Sequence, residues 1–253
     1  MDLRANIRKN FPRTWALFRA AKTVPSRIVH FFCKRRWAEN EIAYSKFLCS
    51  YAERVDDFFF IQVGANDGIR NDPLHQFVTK YKWSGVLVEP QSALFARLQE
   101  TYSGFQGLYF ENAAVCDSPG SVVLNKVKDS CMTESYHNGI ATICPKRGAI
   151  RGIPLAHVEQ IEVPAITLSS LVSKYSPVRW DLLQIDTEGY DFEIIKLVDF
   201  SKQIPLIIRY EKKHLPLRER QKCRRLLRQN GYSLIDMDRD TVGIHKRILS
   251  QEL

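Results

Sequence analysis

The sequence predicts an α/β domain built on a mostly parallel sheet, closed by a C-terminal antiparallel hairpin and preceded by a basic helical appendage. Three observations carry this. Short, near-continuous apolar runs recur along the chain, amphipathic segments separate them, and Gly, Asn or Asp punctuates the joints. Apolar runs of this kind suit strands buried on both faces, the condition of a parallel sheet covered by helices.

Taken in order, residues 58–63 predict the first strand, and residues 86–88, 108–110, 182–185 and 206–208 the next four. Between them, residues 73–81, 92–102, 168–175 and 190–198 place apolar side chains three and four positions apart, which turns one helical face toward a core. A basic helix over residues 218–228 stops at Asn230-Gly231, where glycine accepts the left-handed conformation that ends helices. Residues 232–237 and 241–245 flank Asp238-Arg239-Asp240 and predict the closing hairpin. Residues 118–160 break the alternation. Pro119, Gly120, Gly139, Pro145, Gly148, Gly152 and Pro154 punctuate them, and only residues 121–127 read as a strand. An irregular insertion of that length predicts either a substrate-covering lid or a surface excursion.

Charge separates the appendage from the body. The 253 residues carry 37 Lys and Arg against 28 Asp and Glu, a formal net charge of +9. Residues 1–36 hold ten of those cations and one acid, Asp2, so the whole excess lies there. An enzyme of nucleic acid lines its working face with Lys and Arg; the balanced body argues against a nucleic-acid partner. In the appendage Phe11, Trp15 and Phe18 share a helical face, Pro25 interrupts it, and Ile28, Val29, Phe31 and Phe32 follow. Such a segment either packs on the main domain, lies peripherally on an anionic membrane surface, or serves as an organellar presequence. The division expected is an appendage over 1–50 and a main domain over 51–253.

With 45% hydrophobic and 26% charged residues, disorder is excluded. No run approaches the roughly 20 apolar residues of a spanning helix, and no apolar signal core opens the chain. A cytoplasmic location is expected, with at most a peripheral place at the inner face of a membrane. The six cysteines show no C-x₂₋₄-C spacing, so zinc is not indicated and reduced thiols are expected.

Two segments carry chemistry. The first is Gly64-Ala65-Asn66-Asp67-Gly68, directly after the first strand. Its glycines permit a sharp turn and close approach of a ligand, but the spacing G-x-x-x-G is not the G-x-G-x-x-G of a dinucleotide cradle. About 21 residues on, Glu89 ends the second strand, where a carboxylate can accept both hydroxyls of a ribose. Together they predict a nucleoside site. The second is Asp186-Thr187-Glu188-Gly189-Tyr190-Asp191 at the end of the fourth strand. Asp186 and Glu188 are close enough in sequence to act as base, metal clamp or hydroxyl binder, unless Thr187 or Asp191 merely caps the next helix.

Val63 to Gly68, Val88-Glu89-Pro90, Asn112-Ala113-Ala114-Val115 and the segment from Ile185 to Asp191 together resemble the FkbM family of S-adenosylmethionine-dependent methyltransferases, over about residues 58–245. The resemblance implies a class I methyltransferase sheet of Rossmann-like type and O-methylation of a sugar, glycan or natural-product hydroxyl. It implies that Gly64, Asn66, Asp67 and Gly68 form the cofactor loop, that Glu89 holds the ribose and Asn112 lies beside the adenine, and that Asp186 and Glu188 face the acceptor. Two positions depart from the family pattern: Gln62 and Ser169 stand where acids are common.

S-adenosylmethionine carries an already activated methyl group, so the protein mainly has to align an oxygen and remove its proton. Asp186 is the expected base, and His214, just past the fifth strand, its rival. Glu211 and Asp186 have the chemistry to hold a divalent cation, but acids alone define no site and no metal is assigned. Two other readings stay open: a nicotinamide-dependent sugar oxidoreductase or epimerase, which lacks its glycine fingerprint here, and a non-catalytic scaffold keeping the fold.

Overall fold

The computed structural model describes residues 26–131, 139–145 and 148–249. A long helix, α1 (Ser26–Ala52), leads into β1 (Phe59–Val63), α2 (His75–Tyr81), β2 (Ser84–Val88), α3 (Ser92–Thr101) and β3 (Leu108–Glu111). After the insertion come α4 (Leu168–Tyr175), β8 (Leu182–Ile185), α5 (Asp191–Lys196), β9 (Ile207–Glu211), α6 (Leu217–Gln229), β10 (Tyr232–Asp236), β11 (Asp240–His245) and α7 (Lys246–Leu249). These strands form one seven-stranded sheet in the order β10-β11-β9-β8-β1-β2-β3. The five strands from β3 to β9 are parallel to their neighbours, and β11 runs antiparallel to both β9 and β10. The expected mostly parallel α/β sheet with its C-terminal hairpin is thus the observed fold.

Alternation along the strands assigns each side chain to one of two cores. Phe59, Ile61 and Val63 pack with Val86, Leu183, Ile185 and Ile208 under α4, α5 and α6, which add Leu171, Ile194 and Leu227. On the opposite face Phe60, Leu87, Leu182 and Ile207 meet α2 and α3 through Val78 and Leu98, and α1 through Tyr44, Leu48 and Tyr51. Burying side chains of this size contributes roughly 1.5–3 kcal/mol each. All five β1 residues are buried, which explains the uninterrupted apolar run.

The expected boundary at residue 50 falls inside α1. Tyr51 donates its hydroxyl to the fully buried Asp181 at 2.7 Å, and Asp181 also accepts the Phe59 N–H and the Arg179 Nε–H. Farther back, Glu41 pairs with buried Arg209 at 3.1 Å. The end of α1 is therefore part of the domain, while residues 1–25, with Phe11, Trp15 and Phe18, lie outside the described residues. No described helix is long and apolar enough to cross a membrane. Among the described residues, five cysteines, Cys116 and Cys223 among them, form no disulfide.

The stretch 118–160 carries more order than its punctuation predicts. Residues Ala114–Cys116 (β4), Gly120–Val127 (β5), Ala141–Thr142 (β6) and Val158–Thr167 (β7) make a second sheet in the order β4-β7-β5-β6. The reading of this region as irregular with one strand is corrected accordingly. Pro164 disguises β7 in the sequence. It is tolerated because β4 pairs only from Ala165 onward, so Pro164 has a single neighbouring strand, β5.

Candidate active site

Strand β1 lies between β2 and β8, and the chain winds outward from it in both directions, so the carboxyl ends of these three strands open a switch-point crevice. Gly64, Glu89 and Asp186 each follow the last residue of one strand, at this rim. They line a cleft of about 1030 Å³, measured out to open solvent, whose wall also includes Asn66, Asp72, Gln184 and Glu188.

The glycine loop is built by backbone geometry. Gly64 has φ +82° and Asn66 φ +51°, left-handed values that glycine and asparagine adopt at least cost. A β-carbon at Gly64 would lie 1.9 Å from the Asp186 carbonyl oxygen, so no side chain fits where the β1 and β8 loops cross. The Asp186 N–H donates to the Val63 carbonyl at 2.9 Å, which joins the two loops further. Gly68, at φ +75°, is instead closed in by Tyr102 and Leu98; its missing side chain serves packing against α3.

Glu89 is 4% exposed, yet its two oxygens are reached by backbone donors, Asn66 N–H at 2.9 Å and Gln91 N–H at 2.9 Å. Burial pushes its carboxyl up to about 7, and these two donors oppose the rise. Each carboxylate oxygen keeps a further lone pair for a ligand hydroxyl. Asp67 turns away from the cleft and caps its own turn, accepting from Ile69 and Arg70 N–H. Asn112 donates its amide to the Glu89 and Pro90 carbonyls at 2.8 and 3.2 Å and so braces the end of β2. Asp67, Gly68 and Asn112 are not among the cleft-lining residues; Gly64, Asn66, Glu89, Asp186 and Glu188 are.

On the other side, Asp186 is exposed to solvent at the cleft, with protein packed around its loop. This packing, then the charges of Glu188 and Asp191, drives its carboxyl well above the usual range. His214 Nε2 lies 3.2 Å from Glu188 Oε2 and 3.8 Å from Glu211 Oε2. The structure thus brings Glu188, which lines the cleft, together with His214 and Glu211, which do not line it. Burial and the nearby Lys213, Arg239 and Arg220 lower His214 to about 4, so the imidazole is neutral at pH 7.

Three further residues or segments complete the site: Asp191, named from sequence only as a cap; Asp72, which sequence reasoning passes over; and the insertion, expected as a lid or a surface excursion. Asp191 is fully buried and accepts from Thr187 Oγ1, Gly189 N–H and Glu211 N–H. It pins the Asp186 loop to the end of β9 rather than facing a ligand. Asp72 stands ten residues beyond Gln62 and accepts its amide at 3.1 Å, so a carboxylate does reach the place where position 62 lacks one. Its proximity depends on the loop before α2, and no local spacing announces it. The third is the insertion. Ile140–Ile143 form part of the cleft wall, Gln91 donates to the Gly139 carbonyl, and the Ala149 N–H donates to the Glu188 carbonyl. Ser169 lies away from this cleft, sharing a hydrogen bond with the α4 cap residue Thr167.

A sheet of this order, with its cleft at the carboxyl ends of the central strands, is an α/β fold of Rossmann-like type. The chain belongs to the methyltransferase FkbM domain family, whose pattern it matches over residues 62–234. Among solved structures it is similar to the methyltransferase FkbM from Methylobacillus flagellatus, at 11% identity over 76% of this chain and 44% of that one, with a TM-score of 0.47. It is also similar to human methyltransferase 10 domain containing protein, at 8% identity over 81% of each chain, with a TM-score of 0.42. The chain spans less than half the length of the Methylobacillus structure. No protein of curated function matches it.

The family implies S-adenosylmethionine as methyl donor. The cleft fits that group. Glu89 places a buried carboxylate on the cleft wall, and Gln62 Oε1, Asp72 Oδ2 and Gln184 Oε1 are buried acceptors without partners. Three unpartnered acceptors around one cleft call for a ligand rich in donors.

Proposed function

We propose that the chain transfers a methyl group from S-adenosylmethionine to a hydroxyl oxygen of a sugar, glycan or related acceptor. The observation that carries this reading is the convergence, on one cleft, of a buried ribose-type carboxylate, Glu89, and a separate acidic corner, Asp186 and Glu188. One end suits a nucleoside and the other a polar acceptor.

In this reading Gly64 and Asn66 hold the cofactor by backbone, Glu89 accepts its ribose hydroxyls, and Asp72 with Gln62 and Gln184 receives its ammonium end. The bound cofactor supplies a sulfonium-activated methyl group. Asp186 orients the acceptor hydroxyl and takes its proton; a carboxyl of raised proton affinity is better matched to that task than an ordinary one. The rival base, His214, is held at low proton affinity and sits behind Glu188, which favours Asp186. The wall made by Ile140–Ile143 helps exclude water from the acceptor side.

The experiment is transfer of labelled methyl from S-adenosylmethionine to a panel of hydroxyl-bearing glycans and lipid-linked sugars, with amine and nucleic-acid acceptors beside them. Label in an alkali-stable methyl ether supports the reading. Label on nitrogen or in nucleic acid only would refute it. The ten cations of residues 1–36 further favour a place at an anionic membrane surface on the cytoplasmic side. Salt-sensitive co-sedimentation with anionic liposomes supports this, and equal behaviour of a chain lacking residues 1–36 would count against it.

A further inference from the structure

Glu188 Oε2, Glu211 Oε2 and His214 Nε2 lie within 4.8 Å of one another, although they come from the β8 loop, the last residue of β9 and the turn after it. All three atoms are buried and none has a hydrogen-bond partner. Glu211 is 7% exposed, so its inward oxygen has no water to turn to. Glu188 Oε2 and His214 Nε2 approach to 3.2 Å without completing a hydrogen bond, and two carboxylates and one imidazole so placed are costly to bury unless something sits between them.

We propose that Glu188, Glu211 and His214 form a divalent-cation site beside the acceptor end of the cleft. The mixed set of two oxygens and one nitrogen suits a borderline dication such as Mn²⁺ or Zn²⁺ better than Ca²⁺, which takes six to eight oxygens. Asp191 organises the site, because the same carboxylate grips the loop carrying Glu188 and the backbone N–H of Glu211. Three protein ligands leave coordination positions for an outside oxygen. Glu188 lines the cleft, so that oxygen is the acceptor's; this part rests on the methyl-transfer reading and narrows the acceptor to one with two neighbouring oxygens, such as a diol or hydroxy acid.

The test uses the full chain, stripped with a chelator and then titrated with Mn²⁺ by calorimetry and by the electron-spin signal of free Mn²⁺. S-adenosylhomocysteine is titrated into the same samples. One Mn²⁺ per chain is expected, with at least tenfold weaker binding in both Glu211→Gln and His214→Asn. Should neither variant fold, the wild-type chain decides alone: substoichiometric Mn²⁺ must broaden the imidazole resonances of His214 before those of the other histidines. A chain that binds S-adenosylhomocysteine but no Mn²⁺ or Zn²⁺, variants that bind Mn²⁺ as well as wild type, or broadening that spares His214 would each overturn the site. Mn²⁺ binding at His214 without S-adenosylhomocysteine binding would uphold the site and sink the methyl-transfer reading instead.

Discussion

The Asp191 carboxylate accepts the backbone N–H of Glu211 at 3.0 Å, tying the first turn of α5 to the last residue of β9. Its other oxygen accepts from Thr187 Oγ1 at 3.0 Å and Gly189 N–H at 3.3 Å. Two loops that both supply acids to one corner are thus held by a single buried group. Asp191→Ala leaves several buried donors unpaired, each at a cost of roughly 1–3 kcal/mol. A loss of about 3 kcal/mol in unfolding free energy is expected by urea denaturation, with Asp191→Asn losing less. Wild-type stability in the alanine variant would remove Asp191 from this role.

Glu89 gives a proton-linked prediction. Burial raises its carboxyl to about 7 in the folded chain, against roughly 4.3 in an unfolded one. A raised carboxyl favours folding most below its unfolded value, and that contribution is lost as the pH rises through 7. Asp191, also raised to about 7 by burial, acts in the same direction. Ligand-free stability should therefore fall between pH 5 and 8. Ribose hydroxyls donated to Glu89 favour its ionised form, so cofactor binding near pH 6.5 should release protons. Calorimetry in buffers of different ionisation enthalpy measures this release. No buffer dependence, or uptake of protons, would contradict the assignment.

Gly64→Ala tests the crossing of the β1 and β8 loops. The new methyl meets the Asp186 carbonyl oxygen at 1.9 Å, and the backbone already sits at φ +82°. Both loops must move apart. Affinity for S-adenosylhomocysteine should drop at least tenfold, while Gly104→Ala, also strained at φ +111° but with nothing within 4 Å of its β-carbon and away from the cleft, should leave it unchanged. Equal affinities in the two variants would show that the crossing has no bearing on the cleft.

Asp186→Asn separates turnover from binding. The residue lines the cleft at the end proposed for the acceptor, and asparagine keeps its size while losing the proton-accepting charge. Turnover should fall 10²-fold or more, the usual scale for losing a general base, with cofactor affinity nearly unchanged. Full turnover in a folded variant would end the role of Asp186 as base.

Much of this was legible in the sequence because burial writes itself into composition. The strands of the main sheet are apolar runs since both faces are covered, as at Phe59–Val63. The glycine loop and the acids after β2 and β8 were visible because strand ends position ligands in such folds. The second sheet was hidden. Ala141–Thr142 is too short to announce itself, and β7 carries an alternation interrupted by Pro164. The acidic corner was only half visible. Asp186 and Glu188 are local, but Glu211 and His214 join Glu188 only through the parallel pairing of β8 with β9, and Asp72 reaches Gln62 only through a loop. Tertiary contacts of this kind leave no spacing to read.

The most direct test of the central claim, a methyltransferase cleft built on Gly64 and Glu89, is calorimetric titration of the full chain with S-adenosylhomocysteine and, separately, with NAD. Saturable binding of S-adenosylhomocysteine at one site per chain, weakened at least tenfold by Glu89→Ala, with no heat from NAD, is the expected result. Binding of NAD but not of S-adenosylhomocysteine would contradict it.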